Sequence, residues 1–119
     1  IRFNATDKPR KQAAFAQYKY PDAKFRYANI ADFLGLGGNS IEEKIELLIK
    51  KIDELKTQIG IPMRIKEWGI NPAKFYENLD KMVEDAFDDQ CTGANPRYPL
   101  MSELKEIYIK AFEGKDYNN

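Results

Sequence analysis

Ile41, Ile45, Leu48, Ile52, Leu55 and Ile59 recur at intervals of four and three residues. Only an α-helix turns that spacing into one continuous apolar stripe. Ser40 stands before the stripe as an N-cap, and Glu43 three residues later completes the pattern of a capping box. Gly60 suits the left-handed position that ends a helix, and Pro62 prevents continuation. The stripe predicts a helix from Ile41 to Ile59. It covers fewer than three heptads, so it is expected to pack within its own domain rather than seed a coiled coil. The charges on residues 42–56 read as its solvated face, with Glu46 and Lys50 as an i,i+4 pair worth a few tenths of a kcal/mol, roughly.

The same logic places the other helices. Asn71 caps a helix with Pro72 at its first position, and Phe75, Leu79, Met82, Val83, Ala86 and Phe87 form its inner side. A further helix starts at Pro99 or Ser102 and ends near Phe112, with Leu100, Leu104, Ile107, Tyr108 and Ala111 inward and Gly114 as its stop. An earlier helix spans about Pro21 to Leu34, stopped by Gly35. A short turn from Met63 to Trp68 ends at Gly69. No segment alternates apolar and polar residues at period two. The expected fold class is all-α, a bundle-like helical array in a single domain or fragment over residues 1–119, with a frayed tail at 115–119.

Composition narrows the function. The 119 residues hold nineteen Lys and Arg against nineteen Asp and Glu. Zero net charge argues against a nucleic-acid partner and against a polybasic membrane-surface protein. No apolar run reaches the length of a membrane span. A chain of this size buries about 65% of its unfolded surface, enough for a core. A single cysteine fits a reducing cytoplasm. Histidine is absent, which removes the commonest general base and the commonest transition-metal ligand. With one cysteine, a Cys/His zinc site within the chain is excluded. The opening "IRFNATDKPR" lacks a methionine and reads as the cut edge of a longer protein.

Two stretches invite a site. "GLGGNS", residues 35–40, resembles a phosphate loop, but it follows a helix and lacks the Lys-Ser/Thr ending, so it reads as a helix stop and the next helix start. "DDQCTGANPRYPL", residues 88–100, is different. Asp88 and Asp89 oppose a helix dipole, Asn95 is biased to extended geometry by Pro96, Pro99 fixes a further backbone angle, and Gly93 supplies backbone freedom. Such a stiff loop on a rigid scaffold suits function. The residues alone leave a site and a packing role equally open. Trp68 and the seven tyrosines read as packing or interface anchors rather than as a base- or sugar-stacking surface.

The stretch "EDAFDDQCTGANPRYPLMSELKEIY" resembles the C-terminal part of the iron-dependent alcohol dehydrogenases, in particular the alcohol dehydrogenase half of the bifunctional aldehyde–alcohol dehydrogenases. "IRFNATDKPRKQAAFAQYKYPDAKFRYANIADFLGL", "IGIPMRIKEWGI" and the last helix extend the resemblance over nearly the whole chain, and "GGNSIEEK" carries it least. The resemblance implies an N-terminal nucleotide-binding domain followed by an all-α domain, of which this chain is the distal part. It implies NAD-dependent interconversion of an alcohol and an aldehyde, with Fe(II) held by an aspartate and three histidines as a Lewis acid. It also implies a parent that reduces acetyl-CoA to acetaldehyde and assembles into homo-oligomers or filaments.

This chain departs from that pattern because it has no histidine and no glycine-rich cofactor fingerprint. No catalytic residue, metal ligand or cofactor-binding residue is therefore assigned to it. Its partners are expected to be the nucleotide-binding domain and the metal-bearing helices of the parent, and alone it is expected to bind neither Fe(II) nor NAD. By resemblance, Cys91, Thr92, Gly93, Asn95 and Arg97 form a substrate-pocket loop. Cys91 and Thr92 shape the wall, Asn95 fixes the loop by side-chain to backbone hydrogen bonds, and Arg97 holds it through a carboxylate or carbonyl groups. Cys91 is expected to line the pocket, not to act as a nucleophile. The alternative is a non-catalytic helical assembly module whose bare faces, with Trp68 and the tyrosines, mediate subunit contacts.

Overall fold

A computed structural model describes residues 1–11, 19 and 22–114. Four α-helices form: α1 (Ala23–Phe33), α2 (Ile41–Gln58), α3 (Pro72–Asp88) and α4 (Met101–Glu113). Three short 3-10 turns, Arg2–Asn4, Ile65–Trp68 and Thr92–Ala94, lie among them. Among the described residues no strand is present, and the all-α expectation holds. Pro21 and the tail 115–119 lie outside the described residues.

The helix boundaries follow local chemistry. Asp22 caps α1 by accepting from the Phe25 amide, Ser40 Oγ accepts from the Glu43 amide at 3.1 Å, and Asn71 Oδ1 accepts from the Ala73 amide at 2.8 Å. Glu43 completes its box one residue further back than expected, accepting from the Asn39 amide at 2.7 Å. Gly35 and Gly60 take left-handed angles, φ 66° and 75°. Beyond each, Leu36 N–H donates to Ala31 O and Ile61 N–H to Lys56 O, the long bonds of a Schellman stop.

The helices pack as two pairs, α1 with α2 and α3 with α4. Alanines 23, 28 and 31 are the buried residues of α1, and their small side chains let α2 approach closely through Ile45 and Leu48. The second pair has the larger core: Phe75, Leu79 and Val83 from α3 with Phe112 from α4. The Phe75 and Phe112 rings stack with centroids 4.0 Å apart. The 3-10 turn Ile65–Trp68 packs on α4 and adds Ile65 to this core.

Three expectations are corrected here. The α2 stripe is buried only in its first half: Leu55 is 53% and Ile59 62% exposed, because α1 covers just the N-terminal turns. On α4, Phe112 is the fully buried residue, whereas Ala111 and Leu100 are exposed. Glu46 also leaves Lys50, the pair expected along the helix, and meets Arg2 instead.

Phe112→Ala should therefore cost about 3–5 kcal/mol, whereas Leu55→Ala should change stability by only about 0.5 kcal/mol. Urea denaturation of the chain and both variants measures the difference.

Candidate functional site

The loop between α3 and α4 is held from both ends of the chain. Asp89 follows α3 in extended geometry, and its Oδ1 accepts from the Cys91 amide at 2.7 Å. The Thr92 amide donates to Asp89 O, and Thr92 Oγ1 donates to Ala86 O, so the loop turns tightly back onto α3. The Tyr98 ring meets Phe87 of α3 edge-on, with centroids 5.9 Å apart. Pro99 is buried just before α4.

The N-terminal segment lies against this loop. Asn4 and Asn95 form a reciprocal carboxamide pair: Asn4 Nδ2 donates to Asn95 Oδ1 at 3.1 Å, and Asn95 Nδ2 donates to Asn4 Oδ1 at 2.7 Å. Asn95 Nδ2 also donates to Arg97 O, a side-chain to backbone bond across the Pro96 turn. Arg97 Nη1 donates to Phe3 O at 3.1 Å, and its guanidinium stands 4.2 Å from the Phe3 ring centroid. The Tyr98 amide donates to Arg10 O at 2.7 Å, and Arg10 Nη1 returns a bond to Tyr98 O at 2.8 Å.

Glu103, in the first turn of α4, gathers these elements. Its carboxylate accepts from Arg97 Nη2 at 2.6 Å, from Arg10 Nη1 at 2.8 Å and from the Leu100 amide at 2.7 Å. Its side chain is 19% exposed. The hydrogen bond from Arg10, together with the Leu100 amide and the nearby charge of Arg97, outweighs the cost of burial and holds the carboxyl down at about 2. This role has no direct signal in the sequence. A glutamate three residues into a helix reads as a cap, and only the fold brings Arg10 to it from 93 positions away.

Cys91, Thr92 and Asn95 face an open cleft of about 820 Å³. Phe3 and Asn4 of the N-terminal segment, Ile49 and Ile52 of α2, and Leu104 and Ile107 of α4 complete its wall. The cleft thus lies between the two helical pairs. Its lining is mostly apolar, with Arg2, Asp53 and Asp89 as the charged exceptions. Of the five expected loop residues, Cys91, Thr92 and Asn95 line the cleft, and Arg97 stands behind it as a clamp. Gly93 does not use its freedom: it sits in the turn Thr92–Ala94 and is absent from the six glycines with positive φ. Cys91 is a free, exposed thiol, and the sequence holds no histidine to pair with it.

Residues 12–112 match the Fe-containing alcohol dehydrogenase family, C-terminal. The chain belongs to this family. It is 58% identical over 113 residues to the aldehyde-alcohol dehydrogenase of Clostridium acetobutylicum, which covers 95% of this chain and 13% of that protein. It is 56% identical over 119 residues to the bifunctional aldehyde-alcohol dehydrogenase of Escherichia coli, covering 98% of this chain and again 13% of the relative. The NADPH-dependent butanol dehydrogenase of Clostridium saccharobutylicum is 38% identical over 91 residues, 76% of this chain and 24% of that protein. The chain therefore spans about an eighth of the first two relatives, and the remainder of such a larger protein is its context.

The iron implied by the family does not fit this chain's own donors. The sequence has no histidine, and among the described residues no group of three or more His, Cys, Asp or Glu side chains could hold a metal ion. Asp89, the carboxylate nearest the cleft loop, already accepts from a backbone amide. No helix of the described residues is long and apolar enough to cross a membrane.

The lowered pKa of Glu103 fixes a pH dependence. A carboxyl whose folded value lies below its unfolded one stabilises the fold above the unfolded value and loses that contribution as pH falls. Stability should fall between pH 4.5 and about 2. Glu103→Gln should flatten that acid limb and cost about 2 kcal/mol at neutral pH, read from urea midpoints across the pH range.

Proposed function

We propose that this chain is the C-terminal segment of an iron- and NAD-dependent alcohol dehydrogenase that interconverts acetaldehyde and ethanol, within a parent that also reduces acetyl-CoA to acetaldehyde. In this reading the segment completes the substrate cavity, and the metal and the nicotinamide are held by the rest of the parent. The similarity to proteins named aldehyde-alcohol dehydrogenases supports the paired activities. The choice of NAD follows the greater similarity to these proteins than to the NADPH-dependent butanol dehydrogenase.

The observation that carries the cavity role is the clamped loop. Arg97 is spent on Phe3 O and Glu103, and Asn95 on Asn4 and Arg97 O, so Cys91 and Thr92 are presented on the cleft by a backbone that has little freedom. A wall of fixed shape and mostly apolar lining suits a short aliphatic alcohol, because binding then costs no further ordering of the wall. Arg97 and Asn95 act behind the wall, and no proton or hydride passes through them.

A second role is favoured by the exposed apolar side chains. Phe33 is 90% exposed, Trp68 64% and Ile59 62%, more large apolar surface than a domain working alone ordinarily shows. We take these faces to pack on the metal-bearing helices and, in a homo-oligomer or filament, on neighbouring subunits. The free Cys91 suits a reducing compartment, and we place the parent in the cytoplasm.

Arg97→Ala in the full-length parent should lower kcat/KM for acetaldehyde reduction by about tenfold or more, since misplacing a cavity wall weakens substrate positioning. The part of the parent that reduces acetyl-CoA should keep its activity. The 119-residue chain alone should show no NADH oxidation with acetaldehyde. Full dehydrogenase activity in Arg97→Ala would contradict the cavity role.

A further inference from the structure

The two helical pairs are joined less by each other than by the N-terminal segment. Arg2 reaches Glu46 on α2, and Lys24 of α1 binds Asp7 at 3.0 Å. On the other side, Phe3 and Asn4 meet the loop that precedes α4. Asn4 lies at the centre of this bridge. Its carboxamide pairs with Asn95, its Nδ2 stands 3.5 Å from Tyr27 Oη of α1, and the residue itself lines the cleft.

We propose that Asn4 is a positioning residue for the cleft loop: its reciprocal pair with Asn95 sets where Cys91 and Thr92 stand over the cleft. This rests on the reading of that loop as a substrate-cavity wall. A carboxamide pair is more restrictive than a single hydrogen bond. Two antiparallel N–H···O bonds fix the distance between the side chains and their relative plane. Asn95 is tied to the backbone of Arg97 by the same amide nitrogen, so a shift of Asn4 is passed into the loop backbone. The Arg97 bond to Phe3 O would still hold the loop in place without the pair, but through one carbonyl and a ring face, which allow sliding. Loss of the pair should therefore loosen the wall without unfolding it.

The test is steady-state kinetics of acetaldehyde reduction by the full-length parent carrying Asn4→Ala, Asn95→Ala, both, or Asn4→Asp. Asn4→Asp keeps the size but sets a carboxylate oxygen against Asn95 Oδ1, so it remains readable if an alanine variant fails to fold. The expected result is a KM for acetaldehyde raised on the order of tenfold in each single variant, the scale of a lost hydrogen-bonded pair. The kcat should stay within about twofold, and the double variant should be no worse than either single one. A purely structural role would lower thermal stability and leave KM unchanged in the folded enzyme. An unchanged KM in Asn4→Asp and Asn4→Ala, with a loss of kcat/KM in Arg97→Ala, would overturn the role of Asn4 and leave the cavity reading standing. No loss in any variant, Arg97→Ala included, would overturn both.

Discussion

The carboxylate of Glu103 is the contact on which the site depends. It sits at the start of α4, where the positive end of the helix dipole and the Leu100 amide favour a negative charge. Two guanidinium groups converge on it, Arg97 from the loop and Arg10 from the N-terminal segment. One anion thereby ties together a helix, a loop and a distant strap of chain. The neighbouring ion pairs on the exposed helix faces, such as Lys81 with Asp85, have no such reach and contribute little. A carboxylate with three donors differs from them because removing it would leave the Arg97 and Arg10 guanidinium groups facing each other without the anion between them.

The consequence is a division of labour among the elements around the cleft. The α3–α4 pair has an aromatic core around Phe75 and Phe112 and supplies a firm base. The loop built on that base presents Cys91 and Thr92 to an apolar cleft. The α1–α2 pair supplies the opposite wall through Ile49 and Ile52, and the segment from Ile1 to Arg10 spans the two. Nothing in this arrangement offers a histidine or a cluster of metal donors. What the described residues do offer is a braced, mostly apolar wall.

Much of the fold is legible in the sequence because it is written locally. Ser40, Asn71, Gly60 and Gly114 act at the helix ends where their side chains, or the lack of one, suit them. The four-residue spacing of Phe75, Leu79 and Val83 marks the inner face of α3 directly. What periodicity does not reveal is how far along a helix its partner extends. The α2 stripe continues to Ile59 although α1 ends its cover near Leu48, and the same ambiguity hides Phe112, which lies one residue beyond the expected inner face of α4.

The site divides along the same line. The prolines and asparagine of "NPRYP" announce a stiff loop, and the resemblance to a known family directs attention to Cys91 and Arg97. The partners that make the loop stiff, Asn4, Arg10 and Glu103, lie 6 to 93 positions from the residues they hold and carry no local signature. Gly93, whose sequence suggests a special backbone angle, turns out to need none.

Hydrogen–deuterium exchange of the full-length parent, before any substrate or cofactor is added, tests the clamp most directly. The amides of Cys91, Tyr98 and Leu100 each have a partner, and their protection should approach that of α4. Exchange of these amides at the rate of an open loop, or protection that arises only once ligand binds, would contradict a wall that is built in advance.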